Sequence, residues 1–221
     1  MKRSEINAII REGDAFMRRF GVRLPPFAYW SPDQLRDATA DTIRSRGLGW
    51  DITDYGAGRF DELGLFLFTT RNGSPAALTQ GRGMLYAEKI MISRRDQLSP
   101  MHRHVTKAED IINKGGGDLV IELFASAPDG SIDRARDITV FTDGIARTLS
   151  PGAHLRLTPG ESVTLLPGDW HAFWAEGSDC LIGEVSTVND DRTDNIFADP
   201  ISRFSAVEED EPPLHLLVSD Y

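Results

Sequence analysis

Residues 99–116, Ser-Pro-Met-His-Arg-His-Val-Thr-Lys-Ala-Glu-Asp-Ile-Ile-Asn-Lys-Gly-Gly, place two histidines one residue apart and a glutamate five residues after the second. If residues 101–105 are extended, side chains alternate between faces, so His102 and His104 project together while Arg103 points the other way. Two imidazoles then meet one ion. Glu109 follows a Thr-Lys-Ala segment that forms either a turn or the start of the next strand, and its carboxylate arrives at an angle. A fourth ligand comes from residues 165–173, LLPGDWHAF, which put His171 just after a Pro-Gly turn. Neutral imidazoles with a carboxylate suit zinc, manganese or ferrous iron, leaving positions for water or substrate. The two remaining histidines, His154 in AHLRL and His215 in PLHLLV, read as hydrogen-bonded structural residues.

Around this stretch the apolar pattern is that of strands. Short runs at 51–55, 63–70, 84–93, 118–125, 137–141, 146–149, 154–157, 162–166, 172–175 and 180–187 are separated by Gly, Pro, Asn or Asp. Thr142-Asp143-Gly144 signals a hairpin. Many short strands without intervening helices predict a sandwich or barrel. The Gly115-Gly116-Gly117 run lacks the Lys-Ser/Thr of a phosphate loop and reads as a flexible hairpin turn.

Helical periodicity is confined to the first 48 residues. Ser4 is the expected N-cap of a helix whose Ile6, Ile9, Ile10, Met17 and Phe20 recur on one face until Gly21. After Pro25-Pro26, Ser31-Pro32 starts a second helix that is expected to run unbroken to Gly47. No composition shift divides the 221 residues, so one domain is expected: a helical segment, 1–48, and an all-β body, 49–221.

The formal net charge of −10 and pI near 4.9 repel polyanions, which argues against nucleic acid or an anionic membrane as partner. The acidic run 208–211, Glu-Glu-Asp-Glu, reads as a solvated stretch. A lone Cys180 allows no internal disulfide and agrees with a reducing compartment. The start, MKRSEIN, has no secretory apolar segment and no run is long enough to span a membrane, so a cytoplasmic location is expected.

The run His102, His104, Glu109, Gly116 resembles the first cupin motif, and Pro167, Gly168 and His171 resemble the second. Asp96 stands where that motif usually has an upstream Gly, Pro167 sits one residue closer to its His, and Ala175 replaces a common Asn. At finer grain the whole chain resembles the D-lyxose isomerase family of cupin sugar isomerases, through KRSEIN, EKIMISRRDQLSPMHRHVTKAEDIINKGGG, LTPGESVTLLPGDWHAFWAEG and the tail from NDDRTDN to RFSAVEEDEPP. The resemblance implies a single jelly-roll-like cupin β-barrel with the N-terminal helices packed outside. It also implies a divalent metal at His102, His104, Glu109 and His171, with manganese first and zinc, cobalt or ferrous iron as alternatives. Interconversion of D-lyxose with D-xylulose, and of D-mannose with D-fructose, in a homodimer completes the expectation.

Such chemistry needs a cation to stabilise an enediolate and a base to carry a proton between adjacent carbons. Glu184, a carboxylate inside the apolar run CLIGEVS, is the first choice for that base, because a buried charge is costly unless it is paired. Lys107, two residues before Glu109, is the second catalytic candidate. Lys89, Arg203 and the NDDRTDN residues Asp190, Asp194 and Asn195 are candidates for binding the sugar, as is Trp170, one of three aromatic residues flanking His171. The N-terminal apolar stripe and the strand-like tail LHLLVSDY are candidate dimer contacts. Two other functions compete: a ferrous cupin dioxygenase, which His-rich ligand sets also suit, and a non-catalytic sugar-binding cupin.

Overall fold

The computed structural model describes every residue from Met1 to Tyr221. In chain order the elements are α1 (Arg3–Arg19), α2 (Pro32–Arg36), α3 (Asp41–Ser45), β1 (Gly49–Thr53), β2 (Leu65–Asn72), α4 (Pro75–Gln80), β3 (Tyr86–Ser93), β4 (Ser99–His104), β5 (Glu109–Ser126), β6 (Ile132–Asp133), β7 (Ile138–Thr142), β8 (Ile145–Leu149), β9 (Ala153–Leu157), β10 (Ser162–Leu165), β11 (Trp170–Thr187) and β12 (Asn195–Phe197).

Two long strands organise the rest. β5 and β11 pair antiparallel along nearly their whole length. The first part of β11 also pairs with β4, placing His171 opposite His102, and its last part pairs with β3. Strand β5 likewise pairs with β10 at its start and with β9 farther on. Each long strand therefore serves both walls, and the result is the expected cupin-type barrel with the helices outside it. Leu119, Ile121, Leu123, Val163, Leu165, Phe173 and Ile182 fill the interior.

The Gly115-Gly116-Gly117 run is not a hairpin turn but the bend within β5. A Cβ on Gly116 would lie 2.1 Å from the Asp179 carbonyl oxygen, and one on Gly117 2.2 Å from that of Ser178. Only glycine lets the two backbones cross this closely. The register between β5 and β11 shifts at this crossing, between Glu176 and Cys180. Asp96 adopts φ 62°, so the position where the cupin pattern has glycine keeps the left-handed conformation here with an aspartate.

Helix α1 buries Ile6, Ile9, Ile10, Phe16 and Met17 against Trp50, Ile52, Phe66, Phe68 and Ile92 on the outside of the barrel wall. It starts two residues earlier than expected, with Lys2 at the N-cap. The backbone N–H and hydroxyl of Ser4 instead donate to Asp210, at 2.9 and 2.6 Å. The acidic run is thus not simply solvated. Glu209 pairs with the buried Arg3, and Glu211 accepts from Asn7, so carboxylates close the positive end of the helix. The expected second helix is broken at Asp37, whose ψ of 150° is extended and whose carboxylate caps the next turn at Thr39. Helix α4, capped by Ser74, is only six residues long, too short to show a helical period in the sequence. Of the candidate dimer contacts, Ile6, Ile9, Ile10 and Met17 of the α1 stripe are core while Phe20 is exposed, and Leu216 and Leu217 are buried beside Leu35 and Trp50.

Candidate metal and sugar site

Strand alternation brings His102 and His104 to one face of β4, and the β4–β11 pairing sets His171 beside them. The ligand nitrogens of these three histidines lie within 4.8 Å of one another. Glu109, the first residue of β5, brings Oε1 to 3.2 Å from His104 Nε2 and 3.3 Å from His171 Nε2. On the other side of two rings, Nδ1 of His102 donates to the Pro100 carbonyl at 2.8 Å and Nδ1 of His171 to the Asp169 carbonyl at 3.1 Å. A carbonyl only accepts, so these bonds fix the proton on Nδ1 and leave Nε2 with its lone pair toward the cluster.

The protonation states agree. Burial, followed by the neighbouring His171 and His104, holds His102 well below the usual imidazole range. Burial and the Lys107 ammonium lower His104 as well. Burial opposes the Glu109 carboxylate, but the Lys107 ammonium at 2.6 Å outweighs it and keeps its pKa well below the usual value. Neutral imidazoles with an ionised carboxylate, converging in a buried cleft, fit a divalent cation.

Beside the cluster runs a chain of alternating charge. Lys107 Nζ lies 2.6 Å from Glu109 Oε2 and 2.9 Å from Glu184 Oε1. Lys89 Nζ reaches the same Glu184 oxygen at 3.3 Å, Asn189 Oδ1 at 2.6 Å and Asp191 at 3.6 Å. Arg203 Nη2 then joins Asp191 at 3.5 Å to Asp51 at 2.6 Å. Four carboxylates alternate with three cationic side chains along this line. Burial disfavours ionised Asp191, but Lys89 and Arg203 reverse this and depress its pKa strongly. The Nη1 of Arg203 is buried with no hydrogen-bond partner.

Of the residues expected at the site, His102, His104, Glu109, His171, Lys107, Glu184, Lys89 and Arg203 all line one cavity. Three others do not. Trp170 is one residue from His171 on the same strand and therefore faces the opposite way; its Nε1 donates to Gly130 and Arg103 lies over its ring. Asp190 closes a local turn by accepting from Arg192 and Thr193. Asp194 accepts from the backbone N–H groups of Val105, Thr106 and Lys107. The aromatic lining comes instead from Tyr55, Phe173 and Phe197, and the polar lining includes the expected Asn195 and gains Asp191 and Ser99. Burial pushes the Tyr55 phenol up to about 12, so it stays a hydrogen-bonding hydroxyl. Phe173 was readable, since it lies two residues from His171 and so shares its face. Asp191 carries no local pattern that separates it from turn residues.

Comparison with known proteins agrees with this geometry. The family model described as D-lyxose isomerase matches residues 1–221. The D-lyxose/D-mannose isomerase of Serratia proteamaculans is 48% identical over 227 positions, covering 100% of this chain and 98% of that protein. Its namesake from Escherichia coli O157:H7 is 46% identical over 226 positions, with the same coverage. Among solved structures, L-ribose isomerase from Acinetobacter sp. DL28, in complex with L-ribose, superposes with a TM-score of 0.62 at 15% identity, covering 94% of this chain and 98% of that one. The L-ribose isomerase of Geodermatophilus obscurus gives 0.61 at 16%, with the same coverage. At such identity the last two speak for the barrel alone. Matched from its first residue to its last, and sharing nearly half its residues with two relatives along their lengths, the chain belongs to the D-lyxose isomerase family.

Proposed function

We propose that this protein is a metal-dependent aldose–ketose isomerase of free sugars, interconverting D-lyxose with D-xylulose and, as a second pair, D-mannose with D-fructose. The observation that carries the mechanism is Glu184, buried and held between two ammoniums beside a cluster of three imidazoles and a carboxylate. The names of the two relatives support the sugar, and D-mannose repeats the configuration of D-lyxose with one further carbon at its far end.

His102, His104, Glu109 and His171 would hold the ion, with manganese first and zinc, cobalt or ferrous iron as alternatives. Bound there, a divalent cation supplies a Lewis acid for the carbonyl and the neighbouring hydroxyl. Glu184 takes the proton from the carbon beside the carbonyl and returns it to the adjacent carbon on the same face. Lys107 and Lys89 hold the Glu184 carboxylate in place through contacts of 2.9 and 3.3 Å to one of its oxygens. Lys107 has three N–H donors and spends two on Glu109 and Glu184, which leaves one for a developing oxyanion. The unpartnered Nη1 of Arg203 donates to a hydroxyl at the far end of the chain. Phe173, Phe197 and Tyr55 keep water from the reacting carbons.

We further propose that residues 1–48 and 49–221 act as one domain, in a cytoplasmic homodimer. No helix is long and apolar enough to cross a membrane. The test is turnover of an aldose panel in deuterated buffer, without oxygen and with added manganese. D-Lyxose is expected to be consumed and label to enter the product at the carbon that accepts the proton. Oxygen-dependent consumption, or binding of D-lyxose without turnover, would replace this proposal with a dioxygenase or a sugar-binding protein respectively.

A further inference from the structure

Three histidines face the proposed ion, but only two have their outer nitrogen satisfied. His102 and His171 each donate Nδ1–H to the carbonyl two residues earlier. The Nδ1 of His104 is buried with no hydrogen-bond partner. The polar group nearest in front of it is the Asp194 carboxylate, whose Oδ2 is 3.7 Å away, and both side chains are more than nine-tenths buried. A buried imidazole nitrogen left without a partner is costly, and a carboxylate less than 1 Å beyond bonding distance is the natural group to supply one.

Asp194 is itself tightly held. Its Oδ1 accepts from the Val105 N–H at 3.2 Å, the Thr106 N–H at 2.7 Å and the Thr106 hydroxyl at 2.8 Å. Its Oδ2 accepts from the Lys107 N–H at 3.1 Å and keeps a lone pair on the side facing His104. One carboxylate thus spans the turn that connects His104 to Lys107 and ends at Glu109, and at the same time fronts the imidazole at the start of that turn.

We infer that Asp194 is a positioning residue for the metal site, which accepts Nδ1–H of His104 when the ion draws on Nε2 and so completes the third outer contact that the backbone provides for His102 and His171. The inference rests on the metal site proposed above. Asp194 does not touch the sugar. A carboxylate in this role orients the ring, fixes its tautomer and makes Nε2 a stronger donor to the ion.

The experiment compares Mn²⁺ binding to the purified full-length protein, its Asp194→Asn variant and its Thr106→Ala variant, following free Mn²⁺ by electron paramagnetic resonance. Asparagine retains one oxygen for the turn but loses the charge and the second acceptor, whereas Thr106→Ala removes only a hydroxyl bond to the same carboxylate. The expected result is a Kd raised about 10–100-fold in Asp194→Asn and within about threefold of the parent in Thr106→Ala. An Asp194→Asn Kd within threefold of the parent, or equal losses in both variants, overturns the inference. A parent protein that binds no Mn²⁺ overturns the metal site instead. Should Asp194→Asn not fold, the parent loaded with Zn²⁺ and labelled with ¹⁵N-histidine decides the matter. A protected His104 Nδ1–H resonance is expected, and its absence refutes the inference.

Discussion

Replacing Glu184 with glutamine separates the base from everything that positions it. Glutamine has nearly the same shape, and Glu184 is not among the proposed metal ligands, so metal stoichiometry is expected to be unchanged. The lost charge is what matters. Lys107 and Lys89 lie 2.9 and 3.3 Å from the same oxygen, and without the anion they face each other across at most the two distances laid end to end. Two unit charges at that spacing repel by about 2–3 kcal/mol at an effective dielectric near 20. Lys107 retains Glu109, and Lys89 retains Asn189 and Asp191, so the fold survives with Tm lower by roughly 5–10 °C. Loss of a positioned general base removes about 10²–10⁴-fold in rate, or about 3–5 kcal/mol of barrier. Steady-state turnover of D-lyxose, with KM, metal content and melting measured on the same preparation, gives all three quantities. A variant that keeps more than a tenth of the parental kcat, with its metal in place, would show that another group moves the proton.

Two further tests probe the frame. Gly116→Ala puts a methyl 2.1 Å from the Asp179 carbonyl oxygen at a backbone φ of 95°, so a loss of about 2–4 kcal/mol is expected, seen as a lower midpoint in urea; a change under 1 kcal/mol would dismiss the close crossing as the reason for glycine. Acid should loosen the charged chain through Asp191. Its folded pKa lies below its unfolded one, so the stability it contributes is complete above about pH 4 and is lost as pH falls below that. Urea midpoints of the parent are expected to drop more steeply below pH 4 than those of Asp191→Asn, and parallel curves would remove Asp191 from the account.

The proposed metal ligands are legible because their spacing is a local property of strands. His102 and His104 share a face by alternation, and the Pro-Gly turn announces His171. The same rule, applied from His171, selects Phe173 and rejects Trp170. Glu184 shows where counting stops working. It lies thirteen residues beyond His171 in β11, an odd separation that would put it outside the barrel, and the register shift between Glu176 and Cys180 restores it to the interior. It was found through the cost of a charge in an apolar run. Asp191 reaches the cavity wall, and Asp51 reaches the lining residue Arg203, through contacts between distant segments that no local pattern encodes. The acidic run 208–211 was read as solvated because its partners, Arg3, Ser4 and Asn7, stand some two hundred residues away.

The two halves of the site are built to different standards. His102, His104, Glu109, His171 and Glu184 all sit on strands whose neighbours are themselves paired, so none can shift without disturbing a ladder. Asp191 and Arg203 belong to stretches outside the ladders, tied down by a handful of side-chain bonds. On the proposed mechanism, substitutions in that looser half can reshape the grip on the remote end of a sugar while the metal ligands and the proton carrier stay put. A pentose specialist and a hexose specialist could therefore diverge by a few changes between residues 189 and 205, with the chemistry inherited intact.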